Sequence, residues 1–145
     1  MNNVEIIERL FRAVEARDLE PMFDIYAPDV VINEAPSLPY GGSYRGHEGV
    51  AEHGGRYVQA WDELQTEHDR DLEAEFVAGQ DRVLVCWRQK GHGRDGQPIN
   101  VPVISEYRLR DGRVVESRMH TFDSAALVRF LADQNTGTGA DDQGA

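Results

Sequence analysis

One carboxylate stands apart from the other acidic residues of the chain. In VVINEA, residues 30–35, Val30, Ile32 and Glu34 share one face by the two-residue period of a strand, so if Val30 and Ile32 face the core, Glu34 does too. A carboxylate desolvated in apolar surroundings is suited to take or hold a proton near neutral pH. If the strand ends before it, Glu34 is instead a solvated loop residue. Val103, Ser105 and Tyr107 share a face on a later strand, as do Val85, Trp87 and Gln89. Trp87 and Tyr107 there form either ordinary core or a flat pocket wall with a phenol tip, and buried tips need hydrogen-bond partners. Strict alternation through Val115, Ser117, Met119 and Thr121 turns His120 outward, whereas a bulge turns it inward as a proton shuttle. Arg118 shares its parity and can pair with Glu116 or Glu106 across strands. His53 and Tyr57, four apart on a helix, can line a pocket mouth with Trp61, and Leu10 and Val14 can supply apolar wall from the first helix.

The elements that position these groups follow from periodicity. Ile7, Leu10, Phe11 and Val14 make one stripe of a helix over about residues 3–17. Asp18 caps a second short helix through Leu19, Met22, Phe23, Ile25 and Tyr26, which Pro28 ends. The strand at 30–35 leads into the loop PSLPYGGSYRG, and a third helix runs from His47 to about Leu64. Gly54 and Gly55 inside it cost about 1 kcal/mol each relative to Ala, which a close backbone approach would explain.

From residue 68 the period becomes two, through Leu72, Ala74, Phe76 and Ala78, and strands over 81–93, 99–110 and 113–122 follow. Asp95-Gly96 and Asp111-Gly112 suit the hairpins between them. Arg88, Lys90 and Arg108 fall on outward faces, solvated or at an interface. A closing helix begins at Asp123 or Ser124, and residues 134–145 form a small, polar tail expected to be disordered. The layout predicts a single α+β domain over residues 3–133, with helices on one face of a curved, mostly antiparallel sheet that forms an open cone.

Composition bounds the partners. In 145 residues there are 15 Lys plus Arg against 26 Asp plus Glu, a formal net charge of −11, which argues against nucleic acid and anionic membrane faces as partners. The N-terminal MNNVEIIERLF is neither a signal peptide nor a span, and a cytoplasmic location is expected. The one cysteine, Cys86, sits in VLVCW and reads as a buried thiol. Five histidines without metal-ligand spacing, and no cysteine cluster, predict no metal. Phosphate-loop, dinucleotide and nucleophile-elbow motifs are missing, since GHGRDG at 91–96 reads as a hairpin, so no cofactor is expected.

The order of elements and the segments ARDLEPMFDIYAPDVVINE, YRGHEGVAE, AGQDRVLV, YRLRDGRVVE and FDSAALVRFL resemble the SnoaL-like polyketide cyclase branch of the NTF2-like superfamily, over residues 4 to 132. That superfamily also contains ketosteroid isomerase and limonene epoxide hydrolase, so the resemblance is more specific for fold than for reaction. It implies an NTF2-like cone, Glu34 at the position of the isomerase's general base, and a homodimer formed through the convex face of the sheet. Leu10 stands where the isomerase has its tyrosine donor and Ser105 where it has its protonated aspartic acid, so that oxyanion hole is missing. Met119 falls near the acid/base aspartate of the anthracycline cyclases.

Two functions follow. The first is a cofactor-independent enzyme acting on an apolar cyclic or polyketide-like small molecule by isomerisation, cyclisation or dehydration. Glu34 is then the base, and Tyr107, Ser105 or His120 supplies hydrogen bonds. Epoxide opening is a variant of it. The second is a non-catalytic module that binds a small molecule or only dimerises.

Overall fold

The computed structural model describes the backbone of residues 1–144 and the side chains of residues 1–135. Its elements run α1 (Asn3–Glu15), α2 (Met22–Ile25), β1 (Tyr26–Glu34), β2 (Gly42–Arg45), α3 (Gly46–Trp61), β3 (Glu75–Ala78), β4 (Arg82–His92), β5 (Pro98–Arg110), β6 (Arg113–Thr121) and α4 (Ser124–Gly144), with short 3-10 turns at 62–64 and 68–70. The expected tail, 134–145, has most of its side chains outside the described residues.

The six strands form one curved, unclosed sheet in the order β2-β1-β6-β5-β4-β3. Every pairing is antiparallel except β1 with β6, which run parallel, with Ile32 beside Ser117 and Asn33 beside Arg118. The α+β cone anticipated from the sequence is therefore the observed architecture. Asp111 and Gly112 both take left-handed φ values, 54° and 76°, as a tight hairpin between β5 and β6 requires.

Helix α1 starts on a capping box. The Asn2 side chain accepts the Glu5 N–H at 2.8 Å, and Glu5 reciprocates. Its buried stripe of Ile7, Leu10 and Phe11 packs on Val83 and Val85 of β4, Tyr107 and Leu109 of β5 and Val30 and Ile32 of β1. A second cluster gathers Trp61, Leu64, Val101, Leu127 and Leu131, with Phe130 stacked on the Trp61 ring at 5.8 Å.

Several local expectations are corrected. Helix α2 ends at Ile25, and Pro28 sits inside β1 rather than stopping a helix, where its missing N–H leaves an irregular register between Tyr26 and Val31. The presumed loop after Glu34 contains β2, four residues paired with β1 from Val31 through Glu34. The strand expected from residue 68 begins only at Glu75, because Glu73 adopts a left-handed φ of 51° that breaks the ladder. Cys86 is exposed, since strand parity turns it to the outer face between the inward Val85 and Trp87. Lys90 is buried, not solvated, and its ammonium lies 2.9 Å from Glu73. The glycine pair of α3 divides. A Cβ on Gly54 would sit 3.0 Å from Leu19, while one on Gly55 would meet open space at the cavity.

Candidate active site

A cavity of about 320 Å³ opens between α1, α3 and the inner face of the sheet. Its wall is mainly apolar, with Leu10 and Val14 from α1, Ile32 from β1 and Met119 from β6 among its lining. A few polar groups enter this wall, the usual composition of a small-molecule site.

Glu34, the last residue of β1, points inward as its parity predicts, and its side chain is only 7% exposed. His53, two turns into α3, brings Nε2 to 3.1 Å from Glu34 Oε1. The ring N–H can donate to that oxygen, holding the carboxylate in place, while among the described residues Oε2 accepts only the Ala35 N–H, at 3.3 Å. Tyr40 and Tyr44 flank the imidazole at ring separations of 6.5 and 5.0 Å.

Tyr57 lies one turn further along α3. Its hydroxyl donates to Gln89 Oε1 at 2.7 Å, and the Arg17 guanidinium sits 5.6 Å above its ring. Burial pushes this phenol up to about 12, against the opposing Arg17 charge and the Gln89 hydrogen bond.

Across the cavity on β4 and β5, the Trp87 indole N–H donates to Ser105 Oγ at 2.9 Å. Tyr107 shares the inward face of β5 with Ser105, and its hydroxyl is held well above the ordinary tyrosine value by burial, with Tyr26 adding in the same direction and the neighbouring Ser105 opposing. Tyr26 is raised too, by burial and then by the Glu34 charge. Three phenols therefore line the cavity, each kept as a neutral O–H donor, and each lies within the electrostatic reach of Glu34.

The structure thus brings together Glu34, Tyr107, Trp87, Ser105, Met119, His53, Tyr57, Leu10 and Val14. It separates two others. His120 is on the outer face, with its side chain 54% exposed and Nε2 3.8 Å from Glu106, because the β5–β6 register runs without interruption from Val103 to Arg108 and the one irregularity falls after it. Trp61 is fully buried in the second cluster, where its indole N–H donates to the Tyr40 hydroxyl at 3.1 Å. It is not among the residues that line the cavity. Of the expected cross-strand pairs, Arg118 reaches Glu106 at 4.0 Å, and Glu116 instead faces Arg108 at 3.9 Å.

Sequence reasoning missed the pairing of His53 with Glu34, and it missed Arg17, Tyr26 and Gln89 as members of the site region. Parity does place Gln89 beside Trp87, but no local signal joins residues 34 and 53. Among the described residues no group of three or more His, Cys, Asp or Glu side chains could hold a metal ion, and no helix is long and apolar enough to cross a membrane.

Comparison with known proteins agrees with this architecture. No curated protein matches the chain. Among solved structures, an NTF2-like protein of unknown function from Burkholderia pseudomallei K96243 superposes with a TM-score of 0.76 at 25% identity, over 90% of this chain and 98% of that one. TerC co-crystallised with polyporic acid gives 0.76 at 21% identity, over 90% and 98%. A putative SnoaL-like polyketide cyclase from Jannaschia sp. CCS1 gives 0.71 at 21% identity, over 90% and 92%. Residues 7–117 match the model of the SnoaL-like domain, so the chain with this carboxylate-bearing cone belongs to the SnoaL-like family of NTF2-like proteins.

Proposed function

We propose that this protein is a cofactor-independent acid/base enzyme that moves a proton next to a carbonyl of an apolar small molecule, in an isomerisation, a cyclisation or a dehydration. The observation that carries the reading is Glu34, a carboxylate almost closed off from solvent, at the wall of an apolar cavity and bonded to His53. Glu34 takes the proton from carbon. His53 orients it through Oε1, and the negative charge that develops on the substrate oxygen is met by a phenol or by Ser105. Tyr107 is the first choice as that donor, because it is buried, neutral and adjacent to Ser105. The kinship with proteins described as polyketide cyclases supports the class of chemistry. Epoxide opening by the same carboxylate acting through water is the nearest variant.

The test is mass-spectrometric turnover of polycyclic ketones, poly-β-keto mimics and epoxides by wild type and Glu34→Gln. Loss of turnover in the variant supports Glu34 as base and identifies the reaction class. Turnover that survives the substitution moves the chemistry away from Glu34, and binding without turnover favours the non-catalytic module.

The outer sheet face completes the proposal as a homodimer surface. It exposes Leu84 and Ile104 among paired charges. Sedimentation equilibrium that gives a dimer for wild type and a monomer for Ile104→Glu supports it, and a monomeric wild type removes it.

A further inference from the structure

The chain has five tyrosines, and the fold commits the hydroxyls of three. The Tyr57 hydroxyl donates to Gln89, the Tyr44 hydroxyl donates to the Tyr40 carbonyl at 3.0 Å, and the Tyr40 hydroxyl accepts the Trp61 indole N–H. Tyr26 and Tyr107 differ. Among the described residues the Tyr26 hydroxyl makes no hydrogen bond, and burial and the Glu34 charge act on it unopposed. Tyr107 has Ser105 beside it, whose Oγ already accepts the Trp87 indole N–H. A buried donor without a partner calls for an explanation.

Neither hydroxyl is sealed in the protein. Among the described residues the polar side-chain atoms both closed off and unbonded are Arg17 Nε, Arg70 Nε and Ser117 Oγ. The two phenol oxygens therefore keep accessible surface. Their residues are otherwise buried and both line the cavity, so that surface opens into it. The sheet brings the pair together. Tyr26 of β1 is level with Val114 of β6, Val114 is level with Leu109 of β5, and Tyr107 is the next inward residue along β5. After burial, Tyr26 is the largest influence that raises Tyr107.

From this we infer that Tyr26 is a second oxygen-binding catalytic residue, that it and Tyr107 clamp one substrate oxygen between two phenols, and that the substrate class is an apolar ring ketone bound in its neutral form. The inference deepens the functional reading above and rests on Glu34 as its base. Glu34 takes the proton from the carbon next to the carbonyl and becomes a carboxylic acid. The C–H electron pair becomes the C=C bond and the carbonyl π pair moves onto oxygen, where both phenols donate hydrogen bonds and keep their own protons. One negative charge passes from Glu34 to the oxygen and none is added. The Glu34 charge raises both phenols, and the same charge opposes an oxygen that arrives as an anion, so the ketone enters neutral.

The experiment uses 1-indanone, carbon-13-labelled at the carbonyl, on the full chain at pH 8. Infrared difference spectra should place the carbonyl stretch of the bound ketone below its value in hexane. Tyr26→Phe and Tyr107→Phe should each raise it part of the way, and the double variant should raise it further. Deuterium exchange at the carbon next to the carbonyl, followed by NMR, should slow by about 10- to 100-fold in Tyr26→Phe. Calorimetry should find the affinity for indane, the same frame without oxygen, unchanged in that variant, which separates a lost donor from lost packing. Glu34→Gln should keep the carbonyl shift while losing exchange. A wild type that shifts the carbonyl but exchanges nothing removes the catalytic reading and leaves the two phenols as ketone-binding groups. No binding of the ketone, a carbonyl stretch unmoved by Tyr26→Phe, or tighter binding of the 1,3-indandione enolate than of 1-indanone overturns the inference.

Discussion

Among the described residues, two histidine–carboxylate pairs are built from nearly the same atoms but stand in different surroundings. His92 Nδ1 lies 2.8 Å from Asp69 Oδ2, and His53 Nε2 lies 3.1 Å from Glu34 Oε1. Asp69 Oδ2 also accepts the Thr66 N–H at 3.0 Å, and the Asp69 N–H returns a bond to Thr66 Oγ1 at 3.2 Å. Burial acts to raise the Asp69 carboxyl, but the Thr66 and His92 bonds and the His92 charge outweigh it, leaving the group below its ordinary value. Glu34 has no such cage. Beyond His53 it meets one long backbone contact, and it faces a cavity rather than a turn. A carboxylate surrounded by donors clamps a loop, whereas one with fewer donors at an apolar cavity suits the proton transfer proposed above.

Substitutions can break this contrast. The largest effect expected is from Glu34→Gln, which removes the base and should lower turnover by about 10²- to 10⁴-fold without lowering the melting temperature. Steady-state kinetics beside a thermal melt checks both halves. Tyr107→Phe deletes one donor to the developing oxyanion and should lower kcat about 10- to 100-fold while KM changes little.

Asp69→Asn should do the opposite. It should cost about 1–3 kcal/mol of stability in urea titration and leave turnover intact. Because the folded-state pKa of Asp69 is lowered, its contribution is fully present above the unfolded carboxyl value and is lost as pH falls through the folded one. The acid limb of the wild-type stability curve, below about pH 4, should therefore be steeper than that of the variant. The smallest effect belongs to His120→Ala. Its exposed contact with Glu106 spans 3.8 Å, so stability should move by less than about 0.5 kcal/mol and turnover not at all.

Much of this arrangement is legible in the sequence, because it depends on local period. The α1 stripe, the inward parity of Glu34 on β1, the shared face of Ser105 and Tyr107 and the Asp111-Gly112 hairpin all follow from neighbours a few residues apart. What escaped is set by distance along the chain or by residue-type habit. β2 is four residues with no apolar alternation, and it exists because β1 offers an edge. Cys86 reads as buried by the habit of cysteines in apolar runs, and Lys90 reads as outward by parity and as solvated by its charge. Parity decided the first and the Glu73 carboxylate the second. Arg17 reads as a polar residue after a helix. Only the fold brings it over the Tyr57 ring of α3.

The parallel pairing of β1 with β6 carries a consequence for how the molecule comes into being. Asn33, next to the proposed base, bonds through its side-chain amide to the carbonyl of Ser117, 84 positions later in the chain. A contact of such high order is slow to form, because the intervening polypeptide must be drawn together first. On the ribosome, Glu34 emerges early and has no complete wall around it until β6 has been made and docked. The wall that includes Met119 is completed only when β6 docks, so ligand competence should arrive late. Refolding followed by fluorescence in a Trp61→Phe variant, in which Trp87 is the remaining tryptophan, should therefore report closure of the sheet and appearance of the ligand site with one rate constant.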